Sequence, residues 1–254
     1  MRIGLISDIH GNLPALEAVV AQLGADRIDR LVCLGDVAVG PWPHETTQRL
    51  RDLSPEVVLG NWDAWLLDGT RPCPDSDSGR KLLEMGAFWG QTLDAGDLEF
   101  IREAETRVEM TVDGSRLSFF HGSPRSFNEP ILAGTDRAAV EGMFASTDTP
   151  LAGLGHTHLQ MIRRLPNVLL VNPGSVGMPF REWPEPTTRI CPWAEYGVVD
   201  FVDEGKLTVE LHRAAYDAES VVRHVLASGV PHAKWWTDCW RLEGASPGTG
   251  LESL

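Results

Sequence analysis

Paired cysteines are missing from this sequence. Cys33, Cys73, Cys191 and Cys239 are scattered, and none belongs to a Cys-x-x-Cys motif. That excludes a cysteine-built zinc site and a disulfide framework, and leaves buried or incidental thiols. Long hydrophobic runs are missing too. Charges, glycines or prolines interrupt every apolar stretch before it reaches the roughly 20 residues of a membrane helix. Positive charge is scarce: 22 Lys and Arg stand against 36 Asp and Glu, a formal net charge of −14. A chain this acidic has no general attraction for nucleic acid or anionic lipid. It can still take a phosphate at one spot, because bound divalent cations reverse the local field. The opening stretch, residues 1–8, is too short and too soon acidic for a signal peptide and reads as a strand. A cytoplasmic location is expected.

What remains is an ordinary globular composition, 43% apolar and 23% charged, on a chain long enough for one large domain. A single domain is expected over residues 1–243, with a Gly/Ser/Pro-rich tail, 244–254, that reads as disordered. Residues 2–7 are apolar and β-branched. Asn12 can then cap a helix with Pro14 in its first turn. Leu13, Leu16, Val19, Val20 and Leu23 recur at helical spacing, and Gly24 is expected to end that helix. Residues 31–34 and 56–59 read as short buried strands, with a helix over 45–53 between them. Strand, helix, strand, helix, strand implies right-handed crossovers and a parallel sheet, with sites at the carboxyl ends of the strands.

Residues 78–104 are helical in pattern. The texture then changes. Residues 108–112 and 116–120 read as a hairpin about Asp113-Gly114, and 136–145 as a helix. Strands are expected at 151–154, 161–165 and 168–171. A second hairpin pairs 197–202 with 207–211 about Asp203-Glu204-Gly205, and 217–226 is a last helix. Two packed sheets with helices outside accommodate both halves.

The chemistry lies in the breaks after the strands. Asp8 and His10 stand two apart at a strand end, where alternation would point both side chains to one face. His156 and His158, in Gly155-His156-Thr157-His158, repeat the arrangement. His121, Asp36 and Asn61 each follow a strand of their own. Any one of these reads equally well as a capping or hydrogen-bonding residue. Together they supply carboxylate, imidazole and amide donors to divalent ions.

Asp8-Ile9-His10, Gly35-Asp36, Gly60-Asn61, His121-Gly122 and Gly155-His156-Thr157-His158 resemble, in order and spacing, the successive motifs of the calcineurin-like metallophosphoesterase family. Ser7 to Asn12 and Asn172-Pro173-Gly174-Ser175-Val176-Gly177 are similar to stretches of its small bacterial and archaeal phosphodiesterases. The resemblance implies an α/β/β/α sandwich of two mixed sheets with helices on both outer faces. It implies one metal held by Asp8, His10, Asp36 and His158, and a second by Asp36, Asn61, His121 and His156, with Asp36 bridging. Ligands of N and O without thiolate suit Mn, Fe, Ni or Zn. The implied activity is phosphodiester or phosphoanhydride hydrolysis of a small phosphorylated substrate such as a nucleotide, by hydroxide generated between two metals. Relatives of the fold also hydrolyse diadenosine tetraphosphate or phosphoproteins, and some are non-catalytic binding subunits.

One departure matters. Many relatives carry a His after the Asn, credited with stabilising the transition state or protonating the leaving group; here the residue is Trp62. Indole donates one hydrogen bond but is not an acid. His44 is the candidate replacement, or else merely starts a helix. Arg125 and Arg181 could each pair with a phosphate, or with one of the many acids. Nine tryptophans could form a wall that stacks a base, or could serve as core or a dimer contact. Trp42 and Trp62 adjoin motif loops and are the two expected nearest the metals. The Pro-rich residues 181–192 read as a loop that could cover the site, and Asn172 to Gly177 as a turn that could line it.

Overall fold

Alternate side chains of β1 (Arg2–Ile6) meet different layers, so the strand is buried on both faces. Ile3 and Leu5 point between two sheets, and Ile6 points under the helices. The computed structural model describes residues 1–69, 76–183, 189–202, 206–240 and 242. The tail expected at 244–254, the hairpin tip 203–205, Cys73, and residues 184–188 of the expected loop lie outside the described residues.

Asn12 caps α1 (Leu13–Asp26), its Oδ1 accepting from Ala15 N at 3.2 Å. Gly24 does not end this helix. The chain runs on to Arg27, whose φ of 54° makes the left-handed turn. A glycine inside a helix costs only about 1 kcal/mol, so it marks an end only where its own backbone turns. β2 (Arg30–Cys33) and β3 (Glu56–Val57) follow in parallel with β1, with α2 (Pro43–Leu53) between them. α3 (Asn61–Asp68) begins at the Gly60 turn, where no helix is expected from the sequence. The helix expected over 78–104 is two, α4 (Asp77–Gly90) and α5 (Ala95–Arg102). Asp94 and Asp97 close a reciprocal capping box that opens the second.

β4 (Val108–Val112) and β5 (Ser115–Phe119) form the expected hairpin, with φ of 49° at Asp113 and 77° at Gly114. These are the paired positive angles of a tight two-residue turn. α6 (Arg137–Met143), β6 (Leu151–Gly153), β7 (Gln160–Arg164) and β8 (Leu169–Pro173) complete a second sheet in the order β4-β5-β6-β8-β7. The long hairpin of β9 (Trp193–Val202) and β10 (Lys206–Ala215) returns to the first sheet, whose order is β10-β9-β1-β2-β3. α7 (Ala218–Ala227) and α8 (Ala233–Thr237) follow.

Both sheets mix parallel and antiparallel pairs. Their inner faces meet through Ile3, Leu5, Val32 and Leu34 on one side and Leu117, Phe119, Leu151 and Val171 on the other. α1, α2 and α5 cover the outside of the first sheet, burying Leu16, Val19, Leu50 and Ile101. α6 covers the second through Val140 and Met143. A separate cluster of Met85, Trp89, Val221, Val225, Trp236 and Trp240 knits α4, α7 and α8 together. Among the described residues no helix is long and apolar enough to cross a membrane.

Phe119 is fully buried between the sheets. Phe119→Ala should cost about 3–5 kcal/mol. A urea midpoint lowered accordingly at unchanged slope is the expected result, and a shift under 1 kcal/mol would refute this account of the inter-sheet core.

Candidate metal centre

The turns after β1, β2, β3, β5 and β6 deliver Asp8, His10, Asp36, Asn61, His121, His156 and His158 to one place. Strand alternation is not what aligns Asp8 with His10. β1 has already ended at Ile6, and both residues adopt left-handed backbone, φ 52° and 46°. Asp36, His156 and His158 do the same, at 55°, 66° and 56°. Such angles are uncommon for residues with a side chain and mark stored strain.

Neighbouring turns hold these conformations. Asp8 N and His10 N donate to Gly35 O and Asp36 O at 2.9 and 3.0 Å. Gly60 lies so close that a Cβ there would sit 2.1 Å from Asp36 Oδ1. The Asn172-to-Gly177 stretch supports the turns and does not line the site. Ser175 Oγ donates to Asp8 O at 2.7 Å, and Asn172 Nδ2 to Gly155 O at 2.8 Å. Asp63 is the residue that reasoning from the sequence undervalued. Its buried carboxylate accepts from Asp36 N, Val37 N and Gly60 N at 2.8, 3.0 and 3.1 Å, tying two ligand turns together. Its place in Gly60-Asn61-Trp62-Asp63, three after a turn glycine, was the available signal.

The imidazoles are oriented from behind. His121 Nδ1 donates to Leu34 O at 2.7 Å and His158 Nδ1 to Met178 O at 2.8 Å. A carbonyl only accepts, so Nδ1 carries a proton in each ring and Nε2 is the nitrogen turned inward. His158 Nε2 lies 3.2 Å from both Asp8 Oδ1 and His10 Nε2. Asp36 Oδ2 lies 3.7 Å from His10 Nε2 and 3.5 Å from His121 Nε2. Asn61 Oδ1 faces His121 Nε2 at 3.0 Å and His156 Nδ1 at 2.9 Å. Two donor triads result, Asp8 with His10 and His158, and Asp8 with Asp36 and His121.

Burial works against the Asp8 carboxylate, yet His158, His121 and His10 hold it well below the usual range. Asp36 is likewise lowered against burial, first by His121 and then by His10. Burial and then His158 push His10 down to about 4, and burial and then His121 push His156 down to about 4. Burial opposes charge on His121, but Asp36 and Asp8 raise it to about 9. Burial and then Asp36 lift Asp63 to about 7.

A cation fits this arrangement. Asp8 Oδ1 is buried and has no hydrogen-bond partner, while its other oxygen accepts from Ser7 Oγ at 2.5 Å and His156 N at 3.0 Å. Buried polar atoms are nearly always partnered, and an ionised oxygen facing several imidazole nitrogens is what a divalent ion would satisfy.

The remaining candidates go elsewhere. His44 Nδ1 bonds Asp97 Oδ2 at 2.7 Å, against α5, which raises its pKa. Arg125 pairs with Glu129. Arg181 is exposed. Trp62 gives Asp36 Oδ1 only its backbone N–H, at 2.8 Å; its indole packs on Trp65 and on Gly86 of α4. Trp42 stacks on His224 of α7, centroids 4.1 Å apart. Long-range packing on α4 and α7, invisible in the local sequence, sets where both rings sit. The aromatic rings beside the histidines are instead Phe180 on His158 and Trp183 near His156.

Removing divalent ions with a chelator should lower the melting temperature by several degrees, and adding Mn, Ni or Zn should restore it. Asp36→Asn should lose most of that response. A melting temperature indifferent to chelator and ions would overturn the assignment. The pH dependence has a definite sign. His121 near 9 keeps a proton at pH 7, which competes with an ion for Nε2. Affinity should therefore rise with pH between 7 and 9, by up to about tenfold per unit, and calorimetry should detect proton release on binding.

The domain model of the calcineurin-like phosphoesterase superfamily matches residues 1–191. An uncharacterized protein of Methanocaldococcus jannaschii is 27% identical over 246 residues, covering 90% of this chain and 93% of its own. Phosphodiesterase YfcE of Escherichia coli is 26% identical over 211 residues, covering 79% and 88%. The crystal structure of a metallophosphoesterase from Sphaerobacter thermophilus superposes with a TM-score of 0.71 at 28% identity, covering 92% of this chain and 96% of that one. The matched segment spans every ligand turn described above, and the two-sheet sandwich is shared: the chain belongs to the calcineurin-like phosphoesterase superfamily.

Proposed function

We propose that this protein hydrolyses phosphodiester or phosphoanhydride bonds of a small phosphorylated substrate, using two divalent ions. The observation that carries the reading is Asp36. Its Oδ2 faces His10 on one side and His121 on the other, as a bridging carboxylate must. Asp8, His10, Asp36 and His158 would hold one ion, and Asp36, Asn61, His121 and His156 the other. When bound, such a pair supplies a water acidic enough to ionise near neutral pH and positive charge for the phosphoryl oxygens. The chain's own part is positioning. Leu34 O and Met178 O fix two ring orientations, and Asp63 fixes the backbone under Asp36.

Neither Trp62 nor His44 faces the ligands with a proton to give. The indole is packed on α4 and the imidazole is bonded to Asp97. A general acid is worth about 10²–10⁴-fold. Without one, substrates whose leaving group is already stable as an anion are favoured: aryl diesters and phosphoanhydrides over alkyl monoesters. The resemblance to a bacterial phosphodiesterase supports a diester over a monoester.

A panel of diesters graded by leaving-group pKa tests this. The expected outcome is a steep fall in kcat as that pKa rises, at least about 10²-fold between a p-nitrophenyl and a simple alkyl diester. A flat dependence overturns the reading, as does a clear preference for alkyl monoesters.

A further inference from the structure

Phe180 and Trp183 lie at the edge of the ligand cluster and are half-buried. Phe180 stacks on His158, centroids 4.2 Å apart and planes at 23°; Trp183 stands 5.7 Å from His156. The two aromatic rings are 6.3 Å apart. The backbone of Phe180 and Arg181, leading to Trp183, is tied down. Phe180 N donates to His158 O at 3.2 Å, Arg181 N to Arg189 O at 3.1 Å, and Cys191 N to Pro179 O at 2.8 Å. Preset geometry of this kind lets a flat surface bind without first being ordered.

Two of the arginines are engaged elsewhere. Arg125 is paired with Glu129, and Arg213 with Glu195 while it covers Trp193. The other tryptophans near motif loops, Trp42 and Trp62, are packed on α7 and α4. The rings that do lie beside the ligand histidines are Phe180 and Trp183.

We propose that Phe180 and Trp183 form a stacking shelf selecting phosphate esters that carry an aromatic group, with Trp183 the specificity-determining residue. This rests on the reading of the site as a metal centre that binds phosphate esters. Stacking on one exposed aromatic face is sequence-tolerant and commonly worth roughly tenfold or more in affinity.

The test uses two ligands that cannot be hydrolysed, phenylphosphonate and methylphosphonate, titrated calorimetrically into the manganese-loaded protein. The natural sequence should bind the phenyl compound about tenfold tighter or more. Trp183→Ala should bring the ratio near one without weakening methylphosphonate, and Trp183→Phe should retain most of it. Equal affinities in the natural sequence, a ratio that survives Trp183→Ala, or binding of neither phosphonate overturns the shelf. Selective phenylphosphonate binding by a protein that hydrolyses no ester would support the shelf and sink the proposed hydrolysis. Diester hydrolysis with no phenyl preference would do the reverse.

Discussion

The hydrogen-bond ladder between β1 and β2 does not stop where the strands do. Asp8 N, His10 N and Gly11 N continue it onto Gly35 O, Asp36 O and Val37 O, at 2.9 to 3.0 Å, through the turns that carry the ligands. Two loops that would otherwise be independent thus become one rigid body. Asp63 extends it to the third turn by holding Asp36, Val37 and Gly60 at once. That rigidity permits five ligand positions, Asp8, His10, Asp36, His156 and His158, to stay in left-handed backbone. Each such residue costs about 1–3 kcal/mol, so the set costs on the order of a domain's whole stability margin. Strain of that size persists only where many bonds overdetermine it, and ion binding is one way to recover it.

Position 62 shows how such a site can keep its ligands and change its chemistry. The backbone N–H of Trp62 serves Asp36, and any residue could make that bond. The side chain serves a different layer: a Cβ added at Gly86 would lie 2.5 Å from the indole, so ring and glycine fit as a wedge and its slot. Helix α4 is thereby fastened to the first turn of α3, and through the tryptophans of α4 and α8 to α7. Backbone and side chain of Trp62 thus serve different layers, the one the carboxylate beside it and the other the packing of α4.

Much of this was legible in the sequence, for a physical reason. Strand-end breaks are set by short-range chemistry, so Asp8, Asp36, Asn61, His121 and the His156–His158 pair could each be assigned to a turn. The two-residue hairpin at Asp113-Gly114 was legible for the same reason. Directions were not. The left-handed angle that aligns Asp8 with His10 depends on the Gly35 turn, 27 residues away. The rings of Trp42 and Trp62 depend on helices far along the chain. Gly24 looked like a helix end because glycine often is one, yet Arg27 made the turn. The break at Asp94 was hidden inside a helical pattern, since a capping box uses residues that also occur mid-helix.

The acidity of the chain bears on what the site can bind. With a net charge of −14, and with Arg125 and Arg213 paired to glutamates, the protein as a whole has no standing attraction for a phosphate. Under the proposed function, positive potential at the site would come largely with the ions, so ion and substrate binding would be linked and each would tighten the other. Under the proposed function, discrimination among esters would then draw on the uncharged part of the molecule. That division of labour fits a site whose polar residues all converge on one point and whose margin is aromatic.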